Sequence, residues 1–368
     1  MAVGRGTAAP SHYRKRLSCS TIVVMVSRLS RSLLGRMFWA VLAIVAVLVL
    51  VVLSVVLGPP STSLPGLVEA ARSAGSADAS VVVWQLRVPR AAVAVVAGGG
   101  LGVVGLLMQD TFRNPLAGPD LLGAGSGAAL VMAATVVTGL GGAFVVGPLL
   151  TFAGALGGSL LVLLLSSHQR DPVRFAVVGA AVSAGLTALT IAVICVGSPM
   201  ATDLLFRYVL GMLAGRTWTM AVPVFIGAGV LALCVVPLAR AVSVVRSGEE
   251  FATSVGIRPR RVVAGVVVVS SLVTAAVVSC CGPVPFVALL APFLTKRLLG
   301  REHTSALVWP TAVAGGLLLL IADTTGRLIA YPQEVPVGVC VAVLGGPALL
   351  VLLRGLRAAP SRAVESAG

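Results

Sequence analysis

Charge is scarce in this chain of 368 residues: Asp, Glu, Lys and Arg together make up 11% of it, with two lysines, Lys15 and Lys296, and one asparagine, Asn114. Each shortage excludes something. A phosphate-binding loop needs Gly, four residues, Gly, then Lys and Ser or Thr, because the lysine reaches the β- and γ-phosphates. Neither lysine follows a glycine, so the chain has no ATPase of that kind. No HExxH or GxSxG occurs, which removes the common hydrolytic constellations. The three histidines, His12, His168 and His303, are isolated, and Cys195, Cys234, Cys280, Cys281 and Cys340 lie in or beside apolar runs without ligand spacing. They read as small core residues, with no metal or cofactor implied. The excess of basic residues, a net charge of +15, has no soluble basic domain to sit on, so it does not point to nucleic acid.

What is abundant is apolar surface. Hydrophobic residues make up 58% of the chain and the mean hydropathy is +1.05. About 20 apolar residues in helix cross a hydrocarbon core of about 30 Å. Ten runs approach that length: 37–57, 91–110, 121–140, 143–165, 175–197, 220–238, 262–280, 286–299, 307–322 and 335–353. The eighth is short. Alternating ten-residue segments, the mark of a membrane β-barrel, are missing. The sequence therefore predicts an all-α, polytopic membrane protein with about ten transmembrane helices.

Loops left in the cytoplasm carry the excess of Lys and Arg. With the N-terminus inside, these spans leave 21 of 27 basic residues on the cytoplasmic side; the six outside are Arg72, Arg87, Arg90, Arg207, Arg216 and Arg327. Both termini are then cytoplasmic. Residues 1–36 hold seven basic residues and no acid, a basic extension ahead of an uncleaved first span. Translation could start at Met1, Met25 or Met37. A membrane region over 37–357 and a tail over 358–368 complete the division.

GGGLGVVG holds a formal GxGxxG at Gly100, Gly102 and Gly105, but that fingerprint needs a strand and a soluble βαβ unit. Inside a span, Gly98 and Gly102 instead form GxxxG, which lets two membrane helices approach closely.

Two polar stretches carry more information. Between the second and third spans, Gln109 is followed by RNPLAGP, residues 113–119. Pro115 and Pro119 stop helix propagation and Asn114 before Pro115 favours a turn. Further on, SGEEFATSVGIRPRR, residues 247–261, interrupts the apolar chain. Ser247 can cap a short helix, Glu249 and Glu250 suit its first turn, and Gly256 can end it.

RVPR (87–90), Gln109, RNPLAGP, LLGAGSGAAL, GEEFATSVGI, GPVPFVALLAP (282–292) and LLLLIADTTGR (317–327) together resemble the FecCD-type permeases. These are membrane subunits of ABC importers for iron siderophores, haem and cobalamin. The resemblance spans roughly residues 37–357. Pro285, Ala288, Phe293 and Lys296 depart from it, standing where the family usually has glycine, glycine, histidine and arginine.

The resemblance implies that Gly248, Glu249, Glu250, Ala252 and Gly256 belong to a coupling helix seated on a cytoplasmic ATPase dimer; a charged loop held by lipid headgroups is the plainer reading. It implies that Arg87, Arg90 and Arg327 dock an extracytoplasmic substrate-binding protein, with interfacial snorkelling as the alternative and Asp323 orienting Arg327 as an i,i+4 pair. Residues 203–218 are expected to form a half-helix at the external mouth, and spans two to five to repeat as spans seven to ten in opposite orientation. The expected protein is thus a permease subunit in a bacterial cell membrane, paired with a second, identical or paralogous, permease. Its cargo is most consistent with a ferric siderophore. An ion-coupled secondary transporter is the competing class, and it would want ionisable residues at mid-membrane; no acidic residue falls in the middle of these spans.

Overall fold

A computed structural model describes residues 33–57, 81–139, 146–166, 172–197, 205–206, 208–299, 303–330 and 333–357. Most of the basic extension, the tail over 358–368, Arg72, Arg207 and the first two histidines lie outside the described residues. Within them the chain forms eleven α-helices: α1 Leu33–Val56, α2 Val88–Thr111, α3 Ala124–Val137, α4 Val146–Ser166, α5 Pro172–Val196, α6 Trp218–Ser247, α7 Glu249–Ser254, α8 Pro259–Cys281, α9 Val287–Leu299, α10 Thr304–Ile329 and α11 Val337–Arg357. Each of the ten apolar runs falls on one of them, and the eleventh, α7, is the polar stretch after α6.

Among the described residues, six helices are long and apolar enough to cross a membrane: α2 with its π-helical lead-in, α4, α5, α6, α8 and α10. α9 has 13 residues, or about 20 Å of rise, and cannot cross alone. Its shortness has a local cause. α8 stops at Gly282, whose φ is +72°, and Pro283 and Pro285 keep the chain from resuming a helix until Phe286, itself left-handed at φ +64°.

α2 is the central helix. It packs against α10, α9, α6 and α8, and small residues set the distance. A Cβ on Gly98 would meet the Gly315 carbonyl of α10, and one on Gly105 would strike the Ala288 carbonyl of α9. The glycines of GGGLGVVG thus form a packing seam. A second seam joins α3 to α4, where Gly127 and Gly158 leave each other room. α8 bridges the two groups, touching α2, α3, α4 and α6. Outward faces are apolar: Leu233 of α6 and Val196 of α5 are more than four-fifths exposed, as suits side chains that meet lipid instead of water.

Helix limits outrun the apolar runs at several ends, among them that of α6, which continues to Ser247. A π-helical turn, Val82–Arg87, feeds straight into α2, with Pro89 in the first turn where its missing N–H costs nothing. α10 continues to Ile329, so Asp323 and Arg327 lie inside it, not beyond its end. Hydropathy misses these extensions because it stops at the first charges. The half-helix expected over 203–218 is shorter than that: among its described residues 205–206, 208–209 and Trp218, where α6 begins, are helical, and Gly211 and Gly215 turn at φ +75° and +69°. The Tyr208 hydroxyl donates to the Val278 carbonyl at 2.8 Å, and the Met212 N–H to that of Cys281 at 2.8 Å, pinning this segment on the end of α8.

Candidate functional site

The polar residues gather at the two ends of the bundle. At one end, α7 follows α6 after Gly248, whose φ of +144° no β-carbon-bearing residue adopts readily. Gly248 is also the N-cap, with no side-chain hydrogen bond. Ser247 does not cap: it is the last residue of α6 and its hydroxyl reaches back to the Ser243 carbonyl at 3.3 Å. A carbonyl one turn back competes for a serine hydroxyl at a helix terminus, and here it wins. Gly256 ends α7 at φ +82°, its N–H bonded to the Thr253 carbonyl at 3.0 Å, while the Ile257 N–H returns to the Ala252 carbonyl at 2.9 Å.

Ala252 is fully buried against α6 and α8. That anchors one face of α7. The other presents Glu249 and Glu250 with Phe251 and Val255, the last two 54% and 53% exposed. Arg258, Arg260 and Arg261 follow, all exposed.

Beside α7 lies the RNPLAGP turn. The Asn114 N–H bonds the Gln109 carbonyl at 3.1 Å, and the Asn114 side-chain oxygen accepts the Leu116 N–H at 2.9 Å, closing an Asx turn before Pro115. Pro119 opens a short 3₁₀ turn, Pro119–Leu122. Arg113 is left-handed at φ +49° and donates to the Val245 carbonyl at 2.7 Å. Gln109 is buried and donates to the Leu289 carbonyl at 3.4 Å. The structure thus brings the turn and the α7 segment, 136 residues apart where Arg246 meets Asp110, to one place.

Four further residues join them, Asp110, Arg246, Lys296 and Thr304, none of which sequence reasoning assigned to a site. Asp110, 4% exposed, accepts from Lys296 at 2.8 Å, Arg246 at 3.3 Å and Thr304 at 2.7 Å. Lys296, at the position of a family arginine, keeps a cation against Asp110 and also reaches the Gln109 side-chain oxygen at 3.3 Å. The available signal was Asp110 itself, a carboxylate closing an apolar run.

At the opposite end, Arg87, Arg90 and Arg327 come together, but inward. Arg87 donates to the Val55 carbonyl of α1 at 2.7 Å. Arg90 forks onto Asp323 at 2.8 Å and reaches Glu334 at 2.9 Å. Arg327 lies 3.4 Å from Asp323, the i,i+4 pair read in the sequence, and bonds Ser54 of α1. Arg87 and Arg327 are about 5% exposed. Desolvated guanidinium groups demand counter-charge, and Asp323, facing Arg90 before Arg327, supplies it. No group of three or more His, Cys, Asp or Glu suited to a metal occurs among the described residues.

Comparison with known proteins agrees with this architecture. The chain is 34% identical over 279 residues to the Fe(3+)-citrate import system permease protein YfmD of Bacillus subtilis, covering 74% of this chain and 81% of the relative. It is 32% identical over 280 residues to the Fe(3+) dicitrate transport system permease protein FecD of Escherichia coli, covering 75% and 86%. Its fold superposes with a TM-score of 0.74 on a metal-chelate type ABC transporter solved in an inward-facing conformation, at 23% identity, covering 86% of this chain and 98% of that one. Residues 20–355 match the FecCD transport family, and this multi-pass membrane chain belongs to it.

Proposed function

We propose that the chain is the membrane-spanning permease subunit of an ATP-driven importer of ferric siderophores, working beside a second permease copy or paralogue. The observation that carries the reading is α7. A helix of six residues held by one buried alanine, with two carboxylates and two large apolar side chains turned outward, is a contact surface for another protein. A loop stabilised by lipid headgroups has no use for exposed Glu249 and Glu250 beside an anionic surface.

The α7 end is cytoplasmic in this reading. Arg113, Arg246, Arg258, Arg260, Arg261, Lys296 and Arg297 gather there, as the positive-inside rule requires, and both termini follow to that side. The nucleotide chemistry belongs to an ATPase dimer docked on Gly248, Glu249, Glu250, Ala252 and Gly256. The extracytoplasmic binding protein is assigned to the opposite end. There Arg90 and Glu334, the more accessible members of the cluster, reach its surface, and Arg87 and Arg327 support them from inside; arginine docking onto a partner's carboxylates requires exchange of these internal bonds.

The relatives' names place their cargo among ferric chelates, which arrive already coordinated and need no protein ligand. Ion-coupled transport is disfavoured because Asp110 and Asp323 are both neutralised by basic partners near helix ends. The test is Glu249→Ala with Glu250→Ala, assayed for co-purification of the ATPase and for ATP-dependent uptake of radio-iron-labelled ferric citrate into liposomes carrying the binding protein. Loss of both is expected; retention of both overturns the proposal.

A further inference from the structure

We infer that Asp110 is a positioning residue, the joint through which displacement of α7 is passed to the bundle; this rests on the coupling reading above. Its carboxylate ties together four helix ends. It is the last residue but one of α2, and it accepts from Arg246, last but one of α6, from Lys296 in the final turn of α9, and from Thr304, the first residue of α10. Arg113, in the turn just after α2, adds a second bond to α6, at Val245, the residue before Arg246.

Only Ser247 and Gly248 separate Arg246 from α7. A push on α7 therefore arrives first at the last turn of α6, which is fastened to α2 by both bonds. From α2 the load continues into α10 and α9, where Gly98 meets Gly315 and Gly105 meets Ala288 backbone to backbone. The left-handed backbone of Arg113 supports the same reading, since a non-glycine residue is kept there only where its surroundings over-determine it.

A role in holding the fold is separable from a role in transmission. The Lys296 and Arg246 side chains are 25% and 33% exposed, so each stays hydrated if the carboxylate is neutralised. Asn at position 110 preserves shape and can still accept from Thr304. The charge, and with it the ionic half of the fastening of α6, the bond to Arg246, is what it removes.

A signal from the binding protein must cross the same helix ends to reach the ATPase, so the joint is readable from the far side without knowing the cargo. The assembled permease, ATPase and binding protein are compared as wild type, Asp110→Asn, Arg246→Gln, the double variant and Lys296→Arg, and the stimulation of ATP hydrolysis by the binding protein is measured. Co-purification of the ATPase should match wild type in all of them. Stimulation should fall by roughly 2- to 30-fold in Asp110→Asn, fall in Arg246→Gln, fall no further in the double variant, and survive in Lys296→Arg. Unchanged stimulation in Asp110→Asn, or losses that multiply in the double variant, would sink the inference. If Asp110→Asn does not assemble, the partly exposed Arg246→Gln decides alone, and normal stimulation there is the refuting result. A wild-type complex that neither assembles nor responds to the binding protein refutes the importer reading itself; a responsive wild type with a normal Asp110→Asn refutes only the joint.

Discussion

Arg90 holds Asp323 in a forked grip across the contact of α2 with α10, its Nη2 2.8 Å from Oδ1 and its Nε 3.1 Å from both carboxylate oxygens. The same carboxylate faces Arg327. One buried anion thus serves two guanidinium groups, and Glu334 balances the remainder from a more hydrated position.

Removing that anion takes the carboxylate from buried Arg327 and leaves Arg90 with Glu334 alone. Asp323→Asn is expected to destabilise the protein by about 3 kcal/mol or more, read as a lower unfolding temperature in detergent. Glu334→Gln, at a side chain 26% exposed, should cost no more than about 1 kcal/mol. Equal losses in the two variants would show that burial does not set the energetics of this cluster.

The seams predict opposite outcomes for one kind of substitution. Gly105→Ala drives a methyl into the Ala288 backbone, with no flexible side chain to give way, and should cost about 1–3 kcal/mol as overpacking. Gly157→Ala in α4 meets nothing within 4 Å and should stabilise by up to about 1 kcal/mol through helix propensity. Thermal melts of both variants check the pair.

Gly256→Ala places a β-carbon at φ +82°, at a local cost of about 1–2 kcal/mol. The end of α7 is exposed, so the strain is expected to fray that helix and leave the bundle intact. Amide hydrogen exchange should quicken over 249–257 while the melting temperature shifts little. Exchange unchanged there would mean that Gly256 is not what closes α7.

Burial pushes the Tyr208 phenol's pKa up; its hydroxyl donates to the Val278 carbonyl inside the bundle. An unfolded tyrosine ionises near about pH 10. Its folded counterpart does not ionise there, so this group's stabilisation is present below that pH and is lost progressively as pH rises above it. Tyr208→Phe should cost about 1 kcal/mol near neutrality and reduce alkaline sensitivity. A wild type and variant with parallel stability curves from pH 8 to pH 11 would refute this.

Length and hydropathy were enough to find the ten apolar helices, since a lipid-facing surface leaves little choice of side chain. α7 was legible for the opposite reason: glycines bracketing two adjacent carboxylates have no place inside a span. The charged helix ends were not legible. Asp323 and Arg327 read as lying outside α10 because hydropathy scores each residue alone, whereas the helix continues on the strength of a partner, Arg90, that is 233 residues away. Asp110 escaped for the same reason, its four helix ends meeting only in three dimensions. Ser247 has the right identity for a cap, but α6 continues past its apolar run, which ends at Leu238, all the way to Ser247 and takes the serine with it.

Where Gly98 and Gly105 of α2 bear on their neighbours, main chain rests on main chain. Side chains can swing to absorb a nudge; peptide planes in register cannot. α2, α9 and α10 should therefore tilt as a single stiff plate, and the compliance the protein needs must lie at the plate's margins, where Gly211, Gly215 and Gly282 turn the chain.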